Sequence, residues 1–168
     1  MRIRPANPGD LDELVAVHLA SFRAGNGPHL APERMAELTP ARDAGAWEPV
    51  LRDTPERARL VVLEDGGELR GVAGAGPARD DDLDRSSTGE LYALYVHPDA
   101  WGRGYGDALH AAALGHLQAE RFTAAVLWVL EGNQRARRFY ADRGWREDGA
   151  RGAFWESPKV RLRTVLGR

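Results

Sequence analysis

Residues Glu90 to Gly106 read Glu-Leu-Tyr-Ala-Leu-Tyr-Val-His-Pro-Asp-Ala-Trp-Gly-Arg-Gly-Tyr-Gly. Residues 90–96 are almost continuously apolar and aromatic, the pattern of a strand buried on both faces. Pro98 ends that strand, because it offers no N–H to a ladder and restricts the backbone of His97. Gly102, Gly104 and Gly106 then allow a tight turn and a close approach of the backbone to a ligand. Leu109, Ala113 and Leu117 follow at helical spacing. A strand, a glycine turn and a helix start form a site for anions, phosphates above all, since free amides and the helix dipole point the same way.

Two common phosphate motifs do not fit this stretch. The dinucleotide pattern G-x-G-x-x-G fails in both frames, with Asp107 and Leu109 where a third glycine belongs. A P-loop needs Gly-Lys-Ser/Thr, and the chain's only lysine is Lys159. A second pattern lies downstream. Residues 123–130 read as another buried strand, followed by Asn133-x-x-Ala136-x-x-Phe139-Tyr140-x-x-x-Gly144-Trp145. Asn133 is a natural N-cap and Gly144 a natural C-terminal stop, framing a helix of about ten residues.

Val96-His97-Pro98 with Trp101-Gly102-Arg103-Gly104-Tyr105-Gly106 resembles the acyl-CoA motif of the GCN5-related N-acetyltransferase superfamily. There Gln/Arg-x-x-Gly-x-Gly/Ala holds the CoA pyrophosphate on main-chain amides. The Asn133–Trp145 run resembles the superfamily's other signature, and the two stand in the family's order. Trp101 departs from the pattern by replacing Gln or Arg. The amide cradle is expected to survive that change, with Arg103 supplying a compensating charge. The resemblance covers essentially the whole chain.

Length and composition agree with this class. A chain of 168 residues, 43% hydrophobic and 29% charged, suits one soluble globular domain spanning 1–168. A net charge of −2 argues against a broad nucleic-acid or acidic-membrane surface. The absence of cysteine excludes disulfides and a thiolate nucleophile, and five histidines without ligand spacing imply no metal. Without an apolar leader or membrane-length run, a cytoplasmic location is expected.

The remaining segments complete an α/β pattern. Residues 2–5 read as a first strand, and Asp10 to Glu13 as a capping box opening a helix with Leu11, Leu14, Val15, His18 and Phe22 on one face. On that stripe His18 is expected to be a hydrogen-bonded core or edge residue. A glycine- and proline-rich loop at 24–32 precedes short helices at 33–38 and 41–52. Strands at 59–64 and 68–76 flank a hairpin turn at Asp65-Gly66-Gly67. Residues 77–88 are polar and acidic, read either as a solvated connector or as a negative rim that draws in a cationic amine. Residues 160–165 alternate as a last strand.

The resemblance implies a mixed, twisted sheet of six or seven strands flanked by about four helices, open where the central strands part. It implies direct acetyl transfer from acetyl-CoA to a primary amine of a small molecule or peptide, with a homodimer possible. The acidic 77–88 loop points first to a small amine or aminoglycoside-like polyamine as acceptor, and second to a peptide N-terminus or lysine. A catalytically inactive acyl-CoA sensor of the same fold is the alternative. The implied cofactor contacts are the main chain of Leu94, Tyr95 and Val96, the loop Trp101, Gly102, Arg103, Gly104, Tyr105 and Gly106, and Asn133. Tyr140 matches the family's general acid towards the CoA sulfur, or else packs as an aromatic. Glu90 stands where relatives place a base, or else is a solvated carboxylate, and Glu131 is a weaker candidate for the same role.

Overall fold

The structure, a computed structural model, describes residues 1–167. Its strands are β1 (Arg2–Pro5), β2 (Arg59–Asp65), β3 (Glu68–Pro77), β4 (Thr88–Val96), β5 (Ala124–Leu130), β6 (Arg146–Phe154) and β7 (Ser157–Val165). The helices are α1 (Leu11–Gly25), α2 (Pro32–Ala36), α3 (Pro40–Arg52), α4 (Tyr105–Ala119) and α5 (Gln134–Ala141). All seven strands form one sheet in the order β1-β2-β3-β4-β5-β7-β6. Every neighbouring pair is antiparallel except β4 with β5, which the crossover through α4 makes parallel.

The sheet is covered on both faces, which explains its continuous apolar strands. Along β2, Leu60 and Val62 pack with Leu14 and Val17 of α1 and Leu51 of α3. The alternate residues Val61 and Leu63 join Leu109, Ala113 and Leu117 of α4 on the other face. Strand alternation therefore divides one apolar run between two cores. The turn Gly66-Gly67 closes β2 on β3 with φ values of 65° and 83°, a conformation that glycine adopts without penalty.

The N-terminus of α1 differs from the expected capping box. Asn7 and Asp10 make the reciprocal box, and they open a single 3-10 turn at Pro8–Asp10. Asp10 caps nothing at α1 because its two oxygens are taken by Arg4, at 2.7 Å each. Glu13 instead accepts the Leu69 backbone N–H at 2.9 Å, joining α1 to β3. The short helices begin at Pro32 and Pro40, one residue ahead of the expected positions, because proline is suited to a first helical turn. Strand β6 is exposed along nearly its whole length, so no apolar alternation marks it in the sequence. His18, expected on the α1 stripe with a bonded ring, has Nδ1 2.8 Å from both Asp43 oxygens.

The Arg4 guanidinium holds the buried Asp10 carboxyl below its ordinary range, chiefly through their paired hydrogen bonds. A depressed native pKa means fewer protons bound in the folded state, so this stabilisation is complete above the unfolded value of about 4 and is lost as pH falls through the native value. Asp10→Asn is therefore expected to destabilise at pH 7, with the deficit shrinking as urea melts are repeated below about pH 4. A deficit independent of pH would contradict this.

Candidate active site

The site begins with a failure of strand pairing. β4 and β5 pair only through Thr88, Gly89 and Glu90 with Ala124, Ala125 and Val126, and then separate. On the other edge of β4 the register shifts at Tyr92, since Gly74 faces Ala93 while the next residue, Ala75, faces Leu91. The extra residue is a bulge that bends β4 away from β5, and Tyr92 Oη donates to the Pro77 carbonyl at 2.5 Å. Beyond the bulge, His97 N–H donates to Arg70 C=O at 2.8 Å. Antiparallel alternation then turns the backbone groups of Ala93 and Tyr95 towards β3, and those of Leu94 and Val96 towards the gap.

The glycine turn stands at one end of this gap. Gly102 and Gly104 have φ values of 78° and 79°, and a methyl group at either would meet no protein atom within 4 Å. No side chain caps α4, whose backbone links begin with Ala108 N–H donating to Gly104 C=O. Preceding amides lack intrahelical partners, as at any helix start, and the dipole adds partial positive charge there. Tyr105 donates its hydroxyl to Asp65 at 2.5 Å, so its side chain anchors the turn while its backbone lines the site.

Trp101 keeps the polar link that its substitution put in question. Its indole Nε1 donates to Val96 C=O at 2.7 Å, tying the turn to the end of β4. The guanidinium of Arg135, on the first turn of α5, lies 3.3 Å from the centre of a Trp101 ring. Arg135 faces the cavity, and partial burial lowers its pKa. The compensating charge expected from Arg103 is thus placed at Arg135; Arg103 lies outside the cavity lining, near Tyr105 and Asp65. Stacking on a tryptophan carries no sequence spacing, so this residue was not legible before the fold.

A cavity of about 500 Å³ runs through the gap from the turn to the α1 face of the sheet. Tyr140 and Tyr95 both line it. Tyr140 is 9% exposed, and burial, with Tyr95 beside it, raises its phenol above the ordinary value. Tyr95 is pushed up to about 12 by burial and by Asp43. Asn133 caps α5 through its Oδ1, which accepts from Ala136 N–H at 3.0 Å, and its Nδ2 donates to Asn26 Oδ1 at 2.9 Å. That pair clamps α5 to the end of α1. Trp145 Nε1 donates to His110 Nε2 at 3.0 Å, fixing the far end of α5 against α4. Tyr140 is thus held by a helix tied at both ends.

Glu90 is not brought to this cavity. It is 3% exposed, and both its oxygens accept from Arg79: Oε1 from Nη2 at 2.6 Å, Oε2 from Nε at 3.2 Å and from the backbone N–H at 2.9 Å. A carboxylate so engaged is not solvated, and its oxygens are turned to Arg79 rather than to the cavity. Glu131 accepts from Arg151 at 2.8 Å. The acidic 77–88 loop is likewise neither an open rim nor a mere connector. Asp80 and Asp82 both accept from Arg161, and Asp84 accepts from Ser86 and Ser87. The one carboxylate lining the cavity among the described residues, Asp107, is paired with Arg143.

Residues 26–145 match the acetyltransferase (GNAT) family. The chain is 35% identical to an uncharacterized N-acetyltransferase of Mycobacterium bovis, over 94% of this chain and 99% of that protein. The PaiA N-acetyltransferase of Thermoplasma acidophilum, solved with coenzyme A, superposes with a TM-score of 0.82 at 15% identity, over 98% of each chain. A structure from Salmonella typhimurium described as a putative acetyltransferase with its cofactor acetyl-CoA superposes with a TM-score of 0.73 at 18% identity, over 100% of this chain and 95% of that one.

The geometry makes Glu90 a structural partner of Arg79. Glu90→Gln is expected to cost about 1–3 kcal/mol in chemical denaturation, as for hydrogen bonds to a charged group. Full stability combined with abolished turnover would return Glu90 to the role of base.

Proposed function

Because the chain belongs to the acetyltransferase (GNAT) family and is an N-acetyltransferase, we propose that it moves an acetyl group from acetyl-CoA directly to a primary amine of a small molecule or peptide. The observation that carries this reading is the meeting, in one cavity, of unpaired strand edge, uncapped helix start and a buried tyrosine. The cradle fits a pyrophosphate: its glycines leave room for close approach, and its charge is positive. Arg135 adds a cation with no carboxylate partner among the described residues, beside that cradle. Val96 C=O is held by Trp101 Nε1, and the Leu94 backbone and the Val96 N–H face the gap, where a pantetheine amide can complete the pairing that β5 abandons.

Chemistry follows from what the cavity contains. The amine nitrogen attacks the thioester carbonyl, and the oxyanion of the tetrahedral intermediate meets backbone N–H groups of the β4 edge. The C–S bond then breaks, and Tyr140 donates to the departing sulfur. A raised phenol keeps its proton at neutral pH, whereas a thiol titrates near 8.5. Tyr140 therefore hydrogen-bonds the developing thiolate and regains any transferred proton from solvent. Since Glu90 is engaged elsewhere, the acceptor loses its proton to water. Aromatic walls and nearby cations favour that loss by penalising an ammonium.

Tyr140→Phe is expected to lower kcat ten-fold or more in steady-state acetylation, with acetyl-CoA affinity nearly unchanged by calorimetry. An unchanged kcat would remove Tyr140 from the chemistry. Loss of acetyl-CoA affinity would make it a binding residue instead.

A further inference from the structure

The half of the cavity on the α1 face has a composition that the transfer reaction does not require. Phe22, Tyr92, Tyr95, Trp128 and Phe154 give it aromatic walls, and Lys159 is its one charged side chain among the described residues. Strand register fixes that placement. Lys159 pairs with Leu130 and Arg161 with Trp128, so all four side chains share one face of β5 and β7. Leu130 packs with Phe22 and Leu30, which makes this the α1 face. Lys159 Nζ lies 4.3 Å from the centre of a Trp128 ring.

Lys159 is the chain's only lysine, and it forms no ion pair among the described residues. Nearby carboxylates are already committed. Asp80 accepts from Arg161 and from Trp128 Nε1, each at 2.9 Å, Asp82 accepts from Arg161, and Glu131 from Arg151. An uncompensated ammonium in an aromatic recess is a receptor for an anion, and it repels a second cation. In the acidic loop that suggested a polyamine, Asp80 and Asp82 are spent on Arg161 and Asp84 is bonded to Ser86 and Ser87, which leaves Asp81 as its one acid without a side-chain partner among the described residues.

We infer that the acceptor is an amino carboxylate with an apolar or aromatic body, its carboxylate bound by Lys159 and its amine directed to the β4–β5 gap. The aromatic walls bury the body, and the single cation orients it, as in other largely apolar pockets with few polar groups. This inference rests on the acetyl-transfer reading and names its substrate class.

The test compares matched acceptors by CoA release: L-phenylalanine with phenethylamine, and L-methionine with 3-(methylthio)propylamine, with spermidine as the polyamine. In the wild type, kcat/KM is expected to favour each amino acid over its decarboxylated partner by ten-fold or more, through KM. Lys159→Met brings that ratio to about one, and Lys159→Arg restores most of it. A ratio near one in the wild type, a ratio that survives in Lys159→Met, or preferred turnover of spermidine overturns the acceptor class and leaves acetyl transfer standing. No turnover of any amine by protein that binds acetyl-CoA overturns both.

Discussion

The backbone hydrogen bonds that β4 stops making to β5 are the constraint on which the rest depends. A buried strand edge without partners is costly, because each unpaired N–H or C=O loses water and gains nothing in return. Here the loss follows from a bulge at Tyr92 and a parallel ladder that ends at Glu90 and Val126. The opening is lined by Leu94 and Val96 and faces an uncapped helix start. A ligand with amide groups at one end and phosphates at the other satisfies both deficits at once. The site is thus a place where the fold withholds its own pairing.

Holding such a gap open requires rigid surroundings, and several side chains supply them. Trp101 ties the turn to the end of β4, Tyr105 ties it to the β2–β3 hairpin, and Asn133 joins α5 to α1. Most carboxylates near the cavity are spent on structure. Glu90 holds Arg79, Asp107 holds Arg143, and Asp80, Asp82 and Asp148 surround the buried Arg161. Among the described residues, the charged side chains left without an ion pair in the cavity are Arg135 and Lys159, and most of its remaining wall is aromatic or aliphatic. That residue of unspent groups, rather than the total charge of −2, sets which ligands the cavity suits.

Much of this was legible beforehand, for identifiable reasons. Continuous apolar strands, glycines at a turn and a cap-to-stop helix are local signals, and they located the β4–α4 turn and α5. Residues whose meaning depends on a neighbour were not legible. Arg135 matters because Trp101 lies beneath it, and Lys159 because Trp128 does. By resemblance Glu90 reads as a base, or else as a solvated carboxylate, yet Arg79 on the adjoining loop claims it. From composition the acidic loop reads as a solvated connector or a negative rim, but Arg161, some eighty residues later, neutralises much of it. Extended structure is legible from Trp145 onward, but the extent of β6 is not, because an exposed edge strand has no apolar face to betray it.

The measurement that bears most directly on the gap is amide chemical-shift mapping of the protein titrated with acetyl-CoA, and separately with ATP. Acetyl-CoA is predicted to shift Leu94, Val96 and the amides of residues 102–107 most strongly, with saturation in the micromolar range, whereas ATP leaves Leu94 and Val96 in place. Shifts concentrated outside the gap, or the same pattern with both ligands, would contradict a site built from the missing β4–β5 pairing.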